Sequence, residues 1–162
     1  MKIFYFTYGS LKRGYPNHQS HEDVLSDFVG AGVTSLSFPL VVPDEPNCTN
    51  PHCPYLHRMP TLLDMEGVGM PVQGEVFRLD EIKLKELDKL EGFIGPGNAE
   101  NIYERRHIDV RVGDQVISAQ VYFIVEAAPK LALWKQGLAD VYEEYTLAMA
   151  AATPKPIGSY LV

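Results

Sequence analysis

The sequence predicts a single α+β domain in which most of the strands are antiparallel. The chain has 162 residues, of which 46% are apolar and 22% are charged, as is typical of one globular domain. Segments with strand character and segments with helix character both occur, but they do not alternate regularly along the chain. Regular alternation is expected of a doubly wound parallel sheet, so its absence favours the α+β class.

The chain begins with a predicted strand and a loop. Residues 3–8 form a continuous apolar and aromatic run that ends at Gly9, which indicates a fully buried strand. Residues 9–19 are rich in Gly, Pro and Asn, and they predict an irregular loop.

A short helix and further strands are predicted next. Ser20, followed by Asp23 three residues later, resembles a capping box and predicts a helix through about Phe28. Residues 29–42 predict one or two strands with an edge or bend at Pro39, because proline cannot donate a hydrogen bond to a central ladder.

The middle of the chain predicts a strand followed by a helix with clear ends. Residues 71–79 have strand character. Asp80 is a suitable N-cap for a helix that runs to Glu91, and Gly92 is a suitable residue to end it. Residues 93–101 contain the string Gly-Pro-Gly-Asn and predict a loop, which we expect to act as a lid or specificity loop.

A hairpin and a helix are predicted for the rest of the chain. Residues 103–112 and 115–125 are rich in β-forming residues and flank Gly113-Asp114, a two-residue hairpin turn. Beyond Pro129 the apolar residues follow helical spacing, and Pro154 and Pro156 end that pattern. These apolar residues are Leu131, Trp134, Leu138, Val141, Tyr142, Tyr145 and Met149.

The charge balance argues against two classes of partner. The net charge is -7, whereas nucleic acids and anionic membranes are bound by clustered Lys and Arg. No apolar run approaches the roughly 18–20 residues of a membrane span, and the first apolar stretch ends by Tyr8, too early for a signal peptide. We therefore expect a cytoplasmic protein with neither nucleic acid nor membrane as a partner.

A proline-rich insertion at about residues 44–60 interrupts the predicted strands. Its two cysteines and two nearby histidines have spacings that only partly match zinc sites. We expect a plain loop with free thiols. The alternatives are a zinc site, including a zinc-dependent RNA-binding element, and a disulfide, which a reducing cytosol disfavours. The candidate zinc ligands are Cys48, His52, Cys53 and His57.

An acidic residue occupies the apolar face of the predicted helix over residues 80–91. Leu84, Leu87 and Leu90 form one stripe at helical spacing, and Glu91 falls within it. Lys85 and Lys89 project to the opposite side, towards solvent.

Two interpretations of Glu91 follow from this position. Burial and the helix C-terminus both disfavour an anion, so both are expected to raise the pKa of Glu91. A carboxylate of that kind facing a pocket is a candidate general acid or base. The residues alone favour a plainer interpretation, in which Glu91 pairs with Arg105 or Arg106 or reaches water through fraying of the last turn.

The loop Tyr8-Gly9-Ser10-Leu11 is a candidate binding element. Glycine permits the turn after the strand, and successive backbone N–H groups can form an anion-binding nest. Such turns are common, so this signal is weak alone. Lys12 and Arg13 are interpreted as solvated loop charges at least as readily as substrate contacts.

Five segments carry a resemblance to a known family. The chain resembles the γ-glutamylcyclotransferase family, and within it the branch of the γ-glutamylamine cyclotransferases and the plant avirulence-induced-gene-like proteins. The resemblance spans roughly residues 3–125. Its segments are Tyr8 to His18 (YGSLKRGYPNH), Phe38 to Val42 (FPLVV), Val72 to Phe77 (VQGEVF), Leu87-Asp88-x-x-Glu91 and Tyr103-x-Arg105.

The resemblance implies a fold and a reaction. The fold would be the family's small mixed β-barrel with flanking helices, as one domain over residues 1–162 that includes the insertion. The reaction would be attack of the α-amine of a γ-glutamyl group on its own γ-carbonyl, releasing 5-oxoproline and an amine or amino acid. No cofactor is implied. The partner would be a small γ-glutamyl molecule such as γ-glutamyl-ε-lysine, and we expect a monomer or weak homodimer.

The resemblance also assigns roles to residues. Glu91 would be the catalytic carboxylate that takes a proton from the α-ammonium and gives one to the leaving amine. The substrate would be bound by Tyr8, Gly9, Ser10, Leu11, Tyr103 and Tyr122, of which the loop N–H groups would stabilise charge on the substrate. The alternative is a non-catalytic module on the same fold that binds a small molecule or a protein.

Overall fold

A computed structural model describes residues 2–42, 60–125 and 141–152 of the chain. The predicted zinc ligands Cys48, His52, Cys53 and His57, nearly all of the insertion and residues 131–140 of the predicted C-terminal helix lie outside these ranges. The elements are, in order, β1 (Ile3–Thr7), α1 (Pro16–Gln19), β2 (Phe28–Phe38), β3 (Leu40–Val41), β4 (Thr61–Leu62), β5 (Met70–Leu79), α2 (Glu81–Glu91), β6 (Tyr103–Val112), β7 (Gln115–Ile124), β8 (Val141–Tyr142) and α3 (Leu147–Ala152).

Five strands close into a barrel in the order β1-β5-β2-β6-β7. The neighbours β1–β5, β5–β2, β2–β6 and β6–β7 are antiparallel. A parallel contact between β1 and β7, with Tyr5 opposite Gln120, completes the circle. The predicted α+β class and the small mixed barrel with flanking helices implied by the resemblance are thereby confirmed.

A second, three-stranded sheet has the order β4-β3-β8. Pro39 separates β2 from β3, which confirms the predicted bend and lets the chain pass from the barrel to this sheet. Leu40 pairs with Leu62 on one side and with Tyr142 on the other. Leu63, directly after β4, forms an isolated parallel bridge with Ile124 of β7, so this sheet lies beside that barrel strand.

Two buried clusters use opposite faces of the same barrel strands, because successive strand residues point to opposite sides. The larger cluster, on the barrel interior, includes Phe6, Val72, Val76, Val110, Val121 and Phe123. The other, between the barrel and α2, includes Tyr5, Phe77, Leu79, Leu84, Leu87 and Tyr122.

The hairpin and the capped helix are confirmed. Strands β6 and β7 pair in register from Tyr103 opposite Ile124 to Val112 opposite Gln115. Helix α2 begins after Asp80, whose Oδ1 accepts a hydrogen bond from the Lys83 N–H at 2.9 Å. It ends at Gly92, whose φ of 65° is a left-handed conformation that glycine adopts without strain.

The helix predicted from Ser20 to about Phe28 is wrong. The helical turn is α1, which begins at Pro16, a residue whose fixed φ suits the first position of a helix. Ser20 ends this turn, and Phe28 begins β2. The ring of Phe28 packs edge-on against Phe77, with centroids 5.6 Å apart, so packing on the neighbouring strand outweighs the local capping signal.

The predicted C-terminal helix is wrong over residues 141–146 and confirmed from Leu147 to Ala152. Val141 and Tyr142 form β8, and Tyr145 is buried against the barrel in an extended segment. Helix α3 begins only at Leu147, after Thr146, whose Oγ1 accepts from the Met149 N–H at 3.3 Å. The same apolar residues fit this strand and its neighbours equally well, so their helical spacing alone was not sufficient to predict a helix here.

A glycine at the β2–β5 contact provides a test of the barrel packing. Gly74 pairs with Gly32, and a Cβ on Gly74 would meet the backbone carbonyl of Thr7 and lie 2.6 Å from the ring of Phe6. We expect Gly74→Ala to lower the free energy of unfolding by about 1–3 kcal/mol, measured by urea denaturation. Gly95→Ala is the control, since its Cβ would meet open space, and it should change stability by less than about 0.5 kcal/mol. Equal stability of the two variants would contradict this packing.

Candidate active site

The end of α2 places Glu91 beside the barrel. Leu84 and Leu87 are buried, as the predicted stripe requires, and Lys85 and Lys89 are exposed. Glu91 is half-buried at the last position of the helix. The stripe therefore carries the carboxylate to the surface between the helix and the barrel.

The arginines proposed as partners of Glu91 pair with other carboxylates. Arg105 contacts Asp88, with Nε 3.2 Å from Oδ1. Arg106 contacts Asp64 and Glu66. The recorded ion pairs of both arginines are therefore made to carboxylates other than Glu91.

Three tyrosines surround the Glu91 carboxylate. Burial is the main cause that raises the pKa of Tyr5, Tyr8 and Tyr103, and the negative charge of Glu91 raises the pKa of each further. Opposing and smaller effects come from hydrogen bonds that Thr61 makes to Tyr103 and Leu62 makes to Tyr8. The phenols of Tyr5 in β1, Tyr8 directly after β1 and Tyr103 in β6 thus remain protonated near one carboxylate.

The loop Tyr8-Gly9-Ser10-Leu11 is held by the helical turn that follows it. The N–H of His18 donates to the carbonyl of Ser10 at 3.2 Å, and His18 Nδ1 lies 2.9 Å from the carbonyl of Leu11. Asn17 Nδ2 donates to Ser10 Oγ at 2.7 Å. Leu11 is buried beneath α2. These contacts fix the loop at the end of β1.

The backbone of this loop forms a turn beside Pro60. The loop closes a turn in which the Lys12 N–H donates to the carbonyl of Gly9 at 3.2 Å. Across residues 2–42, 60–125 and 141–152, no hydrogen bond uses the N–H of Gly9, Ser10 or Leu11 as its donor. A Cβ on Gly9 would lie 2.8 Å from Pro60 Cγ, so only glycine fits there without displacing Pro60.

Tyr122 lies on the face of β7 that packs against α2. Its hydroxyl donates to Asp88 Oδ1 at 2.7 Å, and its backbone carbonyl accepts from the Tyr8 hydroxyl at 2.9 Å. Burial is the largest cause that raises the pKa of Tyr122, followed by Tyr5 and Asp88. The Tyr122 hydroxyl is thus bound to a protein carboxylate, and its main-chain oxygen to the first residue of the loop.

Lys12 is buried, which corrects its interpretation as a solvated charge. Its Nζ donates to the carbonyl of Tyr145 at 2.7 Å and pairs with Glu144 at 3.2 Å. Arg13 is half exposed, and its N–H and Nε both donate to Glu75. These two basic residues fasten the loop to the segment before α3 and to β5.

A separate cleft of about 460 Å³ opens on the other side of these contacts. Its lining includes Lys12, Arg111, Glu75 and Glu144, but none of the residues predicted for the substrate site. The geometry around Glu91, with its carboxylate, phenols and loop N–H groups, matches the predicted chemistry better than this cleft does.

The loop after Glu91 is cross-linked by hydrogen bonds. Asn101 is buried, with Oδ1 accepting from the Ile94 N–H at 2.7 Å and Nδ2 donating to Gly95 O at 2.7 Å and to Glu104 Oε1 at 2.8 Å. The same Glu104 oxygen accepts from the Gly97 N–H at 2.9 Å. The loop is therefore folded on itself beside the site.

The described part of the chain contains neither a recognisable metal site nor a helix suited to cross a membrane. No group of three or more His, Cys, Asp or Glu side chains in it is arranged to hold a metal ion. None of its helices combines the length and apolar character needed to cross a membrane.

Sequence reasoning missed Tyr5 and gave no role to Asp88. Tyr5 was counted only as part of a buried strand, although its neighbours in the alternation, Phe4 and Phe6, face the other way. Asp88 lies one helical turn before Glu91, and that i, i+3 spacing was the available signal for a side chain on the same face.

Fold and site together define a class: a small mixed-barrel protein with a half-buried carboxylate opposite a glycine loop. The family model described as γ-glutamyl cyclotransferase, AIG2-like, matches residues 5–139. The chain belongs to this family.

Relatives and a solved structure agree with this assignment. The chain is 40% identical over 112 residues to γ-glutamylaminecyclotransferase of Rattus norvegicus, a match covering 66% of this chain and 62% of the rat protein. It is 36% identical over 136 residues to the Mus musculus protein of the same name, covering 77% and 80%. The crystal structure of an AIG2-like protein from Mus musculus superimposes with a TM-score of 0.66 at 30% identity, covering 90% of this chain and 88% of that one.

The buried tyrosines predict instability at high pH. The pKa values of Tyr5, Tyr8, Tyr103 and Tyr122 are raised in the folded state, whereas in the unfolded chain tyrosine ionises near pH 10. Above about pH 10 the unfolded state therefore binds fewer protons, and each tyrosine lowers the free energy of unfolding by about 1.4 kcal/mol per pH unit. Below pH 10 this contribution is fully present.

Urea denaturation between pH 8 and pH 11 measures this slope. Tyr103→Phe should reduce the slope above pH 10 by about 1.4 kcal/mol per pH unit, because it removes one such group. An unchanged slope in this variant would show that Tyr103 ionises freely in the folded protein.

Proposed function

We propose that this protein is a cyclotransferase that releases 5-oxoproline and a free amine or amino acid from a γ-glutamyl amine or γ-glutamyl amino acid. γ-Glutamyl-ε-lysine is one example of such a substrate. Membership of the family and the names of the rat and mouse relatives support this proposal. The observation that carries it is the placement of the Glu91 carboxylate among Tyr5, Tyr8 and Tyr103, next to the loop at the end of β1.

Glu91 transfers the proton in this proposal. The α-ammonium of the substrate gives a proton to the carboxylate, and the freed amine attacks the γ-carbonyl. The new N–C bond closes the five-membered ring and leaves a surplus proton on the ring nitrogen. The carboxylate passes the proton it holds to the leaving nitrogen as the bond from the carbonyl carbon to that nitrogen breaks. It then takes the surplus proton from the ring nitrogen and gives it to the released amine, which leaves as an ammonium. One base that becomes one acid is sufficient, and the atoms balance without water or a cofactor.

The loop and the phenols orient the substrate. The N–H groups of Gly9, Ser10 and Leu11 stabilise the negative charge that develops on the carbonyl oxygen or bind the α-carboxylate. Tyr8 and Tyr103 keep their protons at neutral pH, so they do not compete with Glu91 for the proton. The Tyr8 hydroxyl donates to the Tyr122 carbonyl, which leaves Tyr103 as the phenol that donates a hydrogen bond to the substrate. A fixed loop also favours the curled shape that brings the amine to the carbonyl. Tyr122 contributes as the support of Tyr8 and of α2.

Further parts of this proposal concern the setting of the enzyme. We propose that the 162 residues form one domain, that the protein acts in the cytoplasm as a monomer or weak homodimer, and that it does not bind nucleic acid. The net charge of -7 supports the last point, because nucleic-acid binding depends on clustered basic residues.

The reaction is tested by measuring 5-oxoproline released from γ-glutamyl-ε-lysine, γ-glutamyl dipeptides and glutathione. We expect Glu91→Gln to lower kcat by about 10²–10⁴-fold, because the amide cannot accept the proton. Glu86→Gln is the matched control, since Glu86 lies on the exposed side of the same helix, and it should retain full activity.

Two results would contradict the proposal. Full activity of Glu91→Gln would remove the role of this residue. Failure of every substrate in the panel, together with saturable binding of a γ-glutamyl compound, would favour a non-catalytic binding module on the same fold.

A further inference from the structure

A buried hydrogen-bond network lies directly behind Glu91. Its centre is Asp88, one turn earlier on α2, with a side chain only 15% exposed. One oxygen of this carboxylate, Oδ1, accepts a hydrogen bond from the Tyr122 hydroxyl at 2.7 Å and forms an ion pair with Arg105, whose Nε lies 3.2 Å away. Since Tyr122 belongs to β7 and Arg105 to β6, the last turn of the helix is tied to two barrel strands.

Main-chain hydrogen bonds connect the last turn of α2 to the two residues that follow Glu91. The carbonyl of Asp88 accepts from the Phe93 N–H at 2.8 Å, and the Gly92 N–H donates to Lys89 at 3.3 Å. The Arg105 guanidinium also lies over the Phe93 ring, 5.0 Å from its centroid. Asp88 and Phe93 lie on either side of Glu91 in the chain, and both contact Arg105.

The end of a helix needs such an attachment when it carries a functional anion. Terminal turns fray, and the helix C-terminus disfavours a negative charge. Two contacts offset this at Asp88. Arg105 forms an ion pair with the carboxylate, and the Tyr122 phenol donates a hydrogen bond to it, and a hydrogen bond to a charged acceptor is the stronger kind.

The same tyrosine also connects to the binding loop. The Tyr8 hydroxyl donates to the Tyr122 carbonyl at 2.9 Å, and Tyr5 packs edge-on against the Tyr122 ring with centroids 5.9 Å apart. Tyr122 therefore contacts both halves of the site: the first residue of the loop through its main chain and the glutamate-bearing helix through its hydroxyl.

We propose that Tyr122, Asp88 and Arg105 form a positioning network that fixes Glu91 relative to the Tyr8–Leu11 loop. This inference rests on the proposed function, because it assigns positioning residues to the same reaction. None of the three transfers the proton. They hold Glu91, which transfers the proton, at the distance from the loop that ring closure requires.

The test separates positioning from general stability. Tyr122→Phe removes the hydroxyl and keeps the ring, and Asp88→Asn removes the charge and keeps the shape. We expect each to lower kcat for 5-oxoproline release about 10- to 100-fold, as a small misplacement of a reacting group does, with KM changed less than about two-fold. Leu84→Val is the control, since the Leu84 side chain packs the same helix onto the barrel but takes no part in the hydrogen bond or the ion pair of Asp88. It should lower stability but leave kcat within about two-fold.

The double variant provides a second criterion. Tyr122→Phe and Asp88→Asn disrupt one hydrogen bond from its two ends, so the combined loss of kcat should be no larger than about the greater single loss. Multiplication of the two losses would overturn a shared network. So would single variants in which kcat falls no further than in Leu84→Val.

Amide hydrogen exchange gives a readout that does not depend on activity. In Tyr122→Phe the N–H groups of Gly92 and Phe93 should exchange about 10-fold faster or more, whereas the N–H of Leu84, at the start of the helix, should not change. Unaltered exchange at Gly92 and Phe93 would overturn the network. Absence of 5-oxoproline from the unaltered protein would instead overturn the proposed function, and the exchange rates would still decide whether these residues fix the turn that carries Glu91.

Discussion

The packing of α2 against the outer face of the barrel is the interaction on which the rest of the structure depends. Leu87 is completely buried in a cluster that also contains Tyr5 and Tyr122, and full burial of a leucine stabilises a fold by about 1.5–3 kcal/mol. The strands expose this face to the helix because their other face fills the barrel interior. The same packing holds the last turn of α2, which carries Glu91, close enough to the barrel for the Glu91 charge to act on Tyr8, the first residue of the loop.

Burial of phenols beside a carboxylate has a chemical consequence as well as a structural one. Tyr5, Tyr8 and Tyr103 have raised pKa values because they are buried and because Glu91 is negative. Neutral phenols donate hydrogen bonds but do not take up a proton at neutral pH, so the carboxylate is left as the base of the cluster. If several groups in the site were ionised, each could accept a proton, and the role of the base would be shared among them. Here the barrel wall supplies polar contacts without adding a second charge.

Features encoded locally could be predicted, and features that depend on distant contacts could not. The ends of α2 followed from Asp80 and Gly92, and the β6–β7 hairpin from its Gly-Asp turn, because each signal acts within a few residues. Barrel closure depends on a contact between Tyr5 and Gln120, which no local period encodes, and it was expected only from the family resemblance. The burial of Lys12 was missed for the same reason, since its partners lie more than 130 residues away. Glu91 was found from the helical stripe, but its tyrosine neighbours come from other elements.

The loop after Glu91 shows how the fold limits the ways in which the enzyme can select substrates. Its Gly-Pro-Gly string suggested a lid, but Asn101 binds both Ile94 and Gly95, and Glu104 binds Asn101 and Gly97. Opening such a loop would break several hydrogen bonds, three of which involve the buried Asn101 side chain, at a net cost of about 1 kcal/mol for each bond. A wall of this kind selects by its shape, whereas a lid selects by closing. In the proposed reaction the leaving group would meet this preformed surface, and discrimination between amines would depend on which of them fit it.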